Sequence, residues 1–111
     1  MSGSSSSDDS PIGGGSSNFT DCVNLTGRGM IMSPDPAILP LLTVGDNVTV
    51  NLRSVTGPLQ ALMLTGELIG NIFLPGNLSA QFISCINDAN EYKGKITSLD
   101  GGLCELFITR R

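Results

Sequence analysis

Glycine-centred breaks at short intervals are the strongest constraint on this chain. Gly45-Asp46, Thr56-Gly57-Pro58, Thr65-Gly66-Glu67, Pro75-Gly76 and Asp100-Gly101-Gly102 each interrupt an apolar segment. Such residues start turns because glycine reaches positive φ without a steric cost and proline presets φ. Most of the segments between them have strand length rather than helix length. Asp100-Gly101-Gly102 is a hairpin signal, since both central positions of a tight hairpin turn require positive φ.

The segments themselves alternate. In "DCVNLTGRGMIMS" Val23, Leu25 and Ile31 share one face, and Asn24, Thr26 and Arg28 the other. This predicts a half-buried strand with a bend or bulge near Gly27 and Gly29, which share the apolar face. "SPDPAILPLLTVGD" carries three prolines and predicts no more than one turn over Ala37–Leu39, with Ile38, Leu39, Leu41 and Leu42 capping one end of the core. In "VGDNVTVNLRSV" Val48, Val50 and Leu52 oppose Thr49, Asn51 and Arg53, the clearest strand of the chain. "LQALML" and "LIGNIFL" flank Thr65-Gly66-Glu67 as a hairpin, and their apolar residues on both faces predict central, covered strands.

One segment has a different period. After Pro75-Gly76, Leu78, Phe82, Cys85, Ile86 and Ala89 recur at helical spacing, with Asn77 placed as N-cap. "YKGKITSL" and "LCELFITRR" then form the last two strands. The order is β-β-β-β-α-β-β. It defines an α+β, mostly β domain: a small, strongly curved antiparallel sheet or partly open barrel with one amphipathic helix packed on it.

The 111 residues suffice for one domain. Residues 1–18 are almost entirely Ser, Gly and Asp, and are expected to be a disordered tail. The globular domain is expected over 19–111. The start of the chain has no basic n-region and no apolar h-region, and no window has the length of a membrane span, so a cytoplasmic location with no membrane partner is expected. On that expectation Cys22, Cys85 and Cys104 are reduced, partly buried small residues, and the four N-x-[ST] sequons are coincidental.

The chain has no histidine and no tryptophan. Ser–His and Cys–His nucleophile pairs are therefore impossible within it, and three scattered cysteines do not make a zinc site. The close acidic pairs Asp88/Glu91 and Asp100/Glu105 flank turns, where solvated carboxylates are ordinary. The expectation is a protein that is not an enzyme, with no cofactor and no metal. Candidate contacts to nucleic acid are Arg28, Arg53, Lys93 and Lys95 for phosphates, with Tyr92 stacking on a base. The free N–H groups near Gly76 and Asn77 are a candidate anion site. A net charge of −4 and an aromatic fraction of 5% argue against a broad nucleic-acid surface and show no stacking platform.

The segment from Gln60 to Gly94 resembles the second half of a HIRAN domain. Ala61-Leu62-Met63-Leu64 would be its apolar strand, Gly66 its hairpin glycine, Ile69-Gly70 its apolar-Gly pair and Leu74-Pro75 its break. Phe82 and Ile86 lie on the helix that follows, and Tyr92 opens the next strand. The resemblance implies a small OB-like barrel and, for the helicase-associated members, binding of single-stranded DNA ends. "SVTGPLQ" stands where that family has an Asn-x-x-Asp-type stretch, so the resemblance carries the fold and no binding residue. Two functions follow. The first is a binding module resembling a HIRAN domain that recognises nucleic-acid ends in DNA maintenance or phage defence. The alternative is a protein-interaction or homo-oligomerisation module, a homodimer for example, using an apolar patch left by "LQALML", "LIGNIFL" and Phe107.

Overall fold

The computed structural model describes residues 21–111; the expected tail lies outside them. Six strands and one helix follow in the order β1 (Gly27–Met32), β2 (Asn47–Leu52), β3 (Leu59–Leu62), β4 (Leu68–Phe73), α1 (Leu78–Asn87), β5 (Tyr92–Asp100) and β6 (Leu103–Arg110). Every neighbouring pair is antiparallel, and the sheet closes in the order β1-β4-β3-β2-β5-β6, with β6 pairing back to β1. The expected sheet is thus a closed barrel rather than a partly open one. Closure pairs every edge strand, so no row of backbone donors is left for aggregation.

Closure also changes what two-sided apolar strands mean. β3 and β4 were expected to be covered on both faces, but a barrel wall has a core side and a free side. Ala61, Ile69 and Ile72 are buried, whereas Leu68 and Phe73 stand exposed on the outside, as does Leu64 just past β3. A register shift on the β3–β4 ladder, where Ala61 pairs with Gly70 and Leu62 with Leu68, leaves Ile69 as the extra residue, buried in the core. A second shift, between Ile96 and Ser98, lies on the β5–β6 ladder.

The bulge expected at Gly27 and Gly29 does not form: β1 pairs with β6 in unbroken register from Gly27 to Ile31. These glycines face inward to make room. A Cβ on Gly29 would lie 2.9 Å from Leu74 Cδ2 and 3.0 Å from the Phe73 carbonyl oxygen. One on Gly94 would lie 2.6 Å from Leu106 Cδ1. The chain before β1 is a turn, and Val23 is exposed rather than part of a strand face.

The two barrel ends are plugged differently. α1 covers one, with Phe82 and Cys85 fully buried and Leu78, Ile83 and Ile86 packed against the core. Over the other runs the proline-rich connection, with a 3-10 turn at Leu39–Leu41 and a buried Leu42. Asp35 N donates to Ile69 O, and Gly45 N to Ile96 O. Leu41, expected in the core cap, is exposed. The last hairpin turns as its sequence requires, with φ of +59° at Gly101 and +88° at Gly102.

The largest departure from expectation concerns the cysteines. Cys22 and Cys85 form a disulfide across 63 residues of sequence, and only Cys104 is free, buried in the barrel. Sequence separation concealed the pairing, which depends on the segment before β1 crossing the barrel end that α1 plugs. Tyr92 Oη donates to Cys22 O at 2.6 Å, and Asn90 Nδ2 to Cys85 O at 2.9 Å, so both partners are also held through their carbonyls.

The chain-entropy estimate for a loop of this size is about 4 kcal/mol. Reduction, or Cys22→Ser with Cys85→Ser, should lower the unfolding free energy by roughly that amount, measured by urea titration with and without reductant. Gly29→Val should cost about 1–3 kcal/mol in the same assay by overpacking against Leu74.

Candidate binding surface on the barrel wall

The period-two alternation that fills the core also fixes what stands outside. On β1, Gly27, Gly29 and Ile31 face in, so Arg28, Met30 and Met32 face out. On β6, Cys104, Leu106 and Ile108 face in, so Glu105, Phe107 and Thr109 face out. The strand register arranges these residues in rows. One row runs Arg28, Phe107, Lys95, Asn47 across β1, β6, β5 and β2. The next along the strands runs Phe73, Met30, Glu105 across β4, β1 and β6. On the other side of the first lies the row Thr109, Lys93, Thr49.

Three of the candidate cations therefore share one wall. Lys93 and Lys95 stand two residues apart on β5, and Arg28 pairs with Phe107. Asn47, Lys93, Lys95, Phe107 and Thr109 line a shallow groove there. Arg53 is not part of it. β2 runs antiparallel to β5, and Arg53 lies four residues beyond Thr49, about 13 Å along the strand direction.

Tyr92 is fully buried, a correction to its place as a stacking residue. Its ring meets Phe82 edge-on, with centroids 4.9 Å apart, and no face is left for a base. Aromatic surface does exist elsewhere. Phe73 is 58% exposed and Phe107 half-buried, both on the outer wall. Strand alternation alone identifies Phe107 as outward; Phe73 is found only once Ile72 is known to face in.

Gly76 has φ +62° and turns the chain into α1. Asn77 makes no side-chain cap, contrary to expectation; its Oδ1 accepts from Gln81 Nε2 at 3.0 Å. Leu78 N donates to Pro75 O, so one of the first-turn donors is already used. Neither residue joins the basic row.

Among the described residues one ion pair forms, Glu91 with Arg111 at 3.8 Å, both exposed. Arg28, Lys93, Lys95 and Glu105 have no ionic partner among those residues. No group of three or more His, Cys, Asp or Glu side chains there could hold a metal ion. Asp21 is held below the ordinary carboxylate value, chiefly by the Asn24 side-chain amide and then its backbone N–H. Thr65 does the same for Glu67 in the β3–β4 turn.

No known protein-family model matches the chain, and no curated protein does. A solved structure is similar: the crystal structure of a structural-genomics target from Lactobacillus plantarum. It aligns over 79% of this chain and 93% of that one with a TM-score of 0.65, at 19% sequence identity. At this identity the likeness shows a shared fold alone.

Burial raises the Tyr92 phenol above its ordinary value of 10, with nearby Arg110 opposing and Asp21 adding to the shift. Burial likewise raises the Cys104 thiol above 9.0. A raised folded-state value holds the proton in the native state, so the contribution is intact below the unfolded value and is lost as pH rises past it. Stability should decline as pH climbs through 9 and 10. Tyr92→Phe should remove the tyrosine part of that decline and cost about 1 kcal/mol at neutral pH, from the lost bond to Cys22 O, as urea titrations across pH would show.

Proposed function

We propose that this protein is a non-enzymatic interaction module that docks a protein partner through the outer face of β4, β1 and β6. One observation carries the reading. Phe73 (58% exposed), Leu103 (52%) and Met32 (49%) stand on the outside of these three strands around the half-buried Met30. Scattered exposed apolar residues are ordinary, but a contiguous aromatic and methionine patch is the composition of an interface. The plugged interior supports the same reading, since both ends are filled by the chain itself.

A second reading has its own support. The groove between Lys93, Lys95 and Phe107 combines phosphate-binding cations with an aromatic side chain, the pairing used on single-stranded nucleic acid. The resemblance to HIRAN domains belongs to this reading and rests on the pattern within residues 60–94. No helix of the described residues is long and apolar enough to cross a membrane. The disulfide favours a compartment that oxidises thiols over the cytoplasm first expected, because cytosolic reductants keep such pairs open.

A photo-crosslinking residue at Phe73 or Met32, in the cells that produce the protein, should give a covalent protein adduct. The same residue at Glu67, in the β3–β4 turn, should not. Equal yields at all three positions, or none, would overturn the interaction reading. For the nucleic-acid reading, oligonucleotide titration at low salt should show micromolar binding that weakens with salt and is lost in Lys93→Glu with Lys95→Glu. Absence of binding to the unaltered protein removes it.

A further inference from the structure

The outer wall is complementary to itself. Arg28 and Glu105 sit at opposite corners of a rectangle, about 5 Å across the strands and about 7 Å along them, whose other corners are Met30 and Phe107, because Arg28 pairs with Phe107 and Met30 with Glu105. Neither charge has an ionic partner among the described residues. Consider a second copy of the wall laid face to face, related by a two-fold axis in the contact plane along the Met30–Phe107 diagonal. That operation brings each Arg28 to within about 3 Å of the point over the other copy's Glu105, inside the reach of two long side chains. Met30 and Phe107 meet their own equivalents on the axis.

The next positions outward also match. Phe73 lies one strand beyond Met30 on β4, and Met32 lies one side-chain step beyond it on β1. The same axis brings these positions together to a similar tolerance, so each Phe73 falls against a Met32, an aromatic–sulfur contact. An isologous interface requires this property: residue i meets j while j meets i. Shuffling Arg28 and Glu105 onto one diagonal and leaving the other apolar is what makes the patch accept its own copy.

We propose that the partner of this face is a second copy of the same chain, in a two-fold dimer built on paired Arg28–Glu105 contacts around Met30 and Phe107. The proposal rests on the interaction reading above and deepens it. Two convex barrel walls meet over a limited area, so the dimer belongs to the weak, micromolar class. Lys93 and Lys95 lie beside the contact rather than within it.

Sedimentation of the purified, nucleic-acid-free protein over a concentration series tests it. The unaltered chain should pass from monomer to dimer. Arg28→Glu sets two carboxylates against each other at both ends and should weaken association at least about tenfold. Glu105→Arg should do the same, and the double exchange, Arg28→Glu with Glu105→Arg, should restore it. Met30→Cys should cross-link to itself on oxidation, and Met32→Cys, which faces Phe73 rather than its own equivalent, should not. A chain that stays monomeric at the highest concentration overturns the dimer, as does a folded double exchange that fails to recover. Crosslinks from Phe73 in cells alongside a monomeric purified protein would overturn the dimer and leave the interaction reading standing.

Discussion

The edge-on contact between Phe82 and Tyr92 is the packing on which the rest of the structure depends. A six-stranded barrel has little internal space, and here two aromatic rings from different elements meet at one end of it. Phe82 arrives on α1 and Tyr92 opens β5, with ring centroids 4.9 Å apart. Both are fully buried. The room for Phe82 comes from a residue with no side chain: a Cβ on Gly27 would lie 3.0 Å from Phe82 Cε2. The phenol then needs a partner, which a buried tyrosine cannot forgo without a desolvation cost. It finds the carbonyl of Cys22, and that residue is bonded to Cys85 on the same helix as Phe82. Ring, hydrogen bond and disulfide thus form one closed set of contacts that fixes α1 over the barrel.

Much of this fold could be read from the residues because turn chemistry and alternation act locally. Gly66, Gly101 and Gly102 turn the chain where they were expected to, and Val48 and Val50 face the core as their spacing implies. The failures share a cause. The role of Gly27 and Gly29, the burial of Tyr92 and the Cys22–Cys85 bond all depend on tertiary packing, against Phe82 and Cys85 of α1 and against Ile72, Phe73 and Leu74 at the end of β4, which no local pattern announces. Asn77 failed for a different reason: the Gln81 amide competes for its oxygen. The wall was partly legible. Lys93 and Lys95 share a face by period two alone and the last hairpin sets Phe107 beside Lys95, whereas bringing Arg28 to them needed barrel closure.

Closure also bears on the proposed function. Many larger barrels hold ligands within. This one is covered by its own chain at both ends, and the proposed recognition uses the convex wall, where charges are few and apolar side chains stand between them. Low charge density makes the position of each ion matter more. In the proposed dimer Arg28 and Glu105 select an orientation while Met30, Met32 and Phe73 supply contact area, a division seen where charge gives register and apolar surface gives attraction.

The disulfide has a mechanical consequence as well. Cys22 and Cys85 close a covalent ring that contains β1 to β4 and most of α1, leaving β5 and β6 outside it. A pull on the two ends of the chain would bypass the ring. Within the barrel only the residues after Cys85 could pay out, and the first resistance would be the long β5–β6 and β6–β1 ladders. With the bond intact, the greater part of the barrel's sequence is inextensible, and the chain would yield as a short tether attached to a fixed loop.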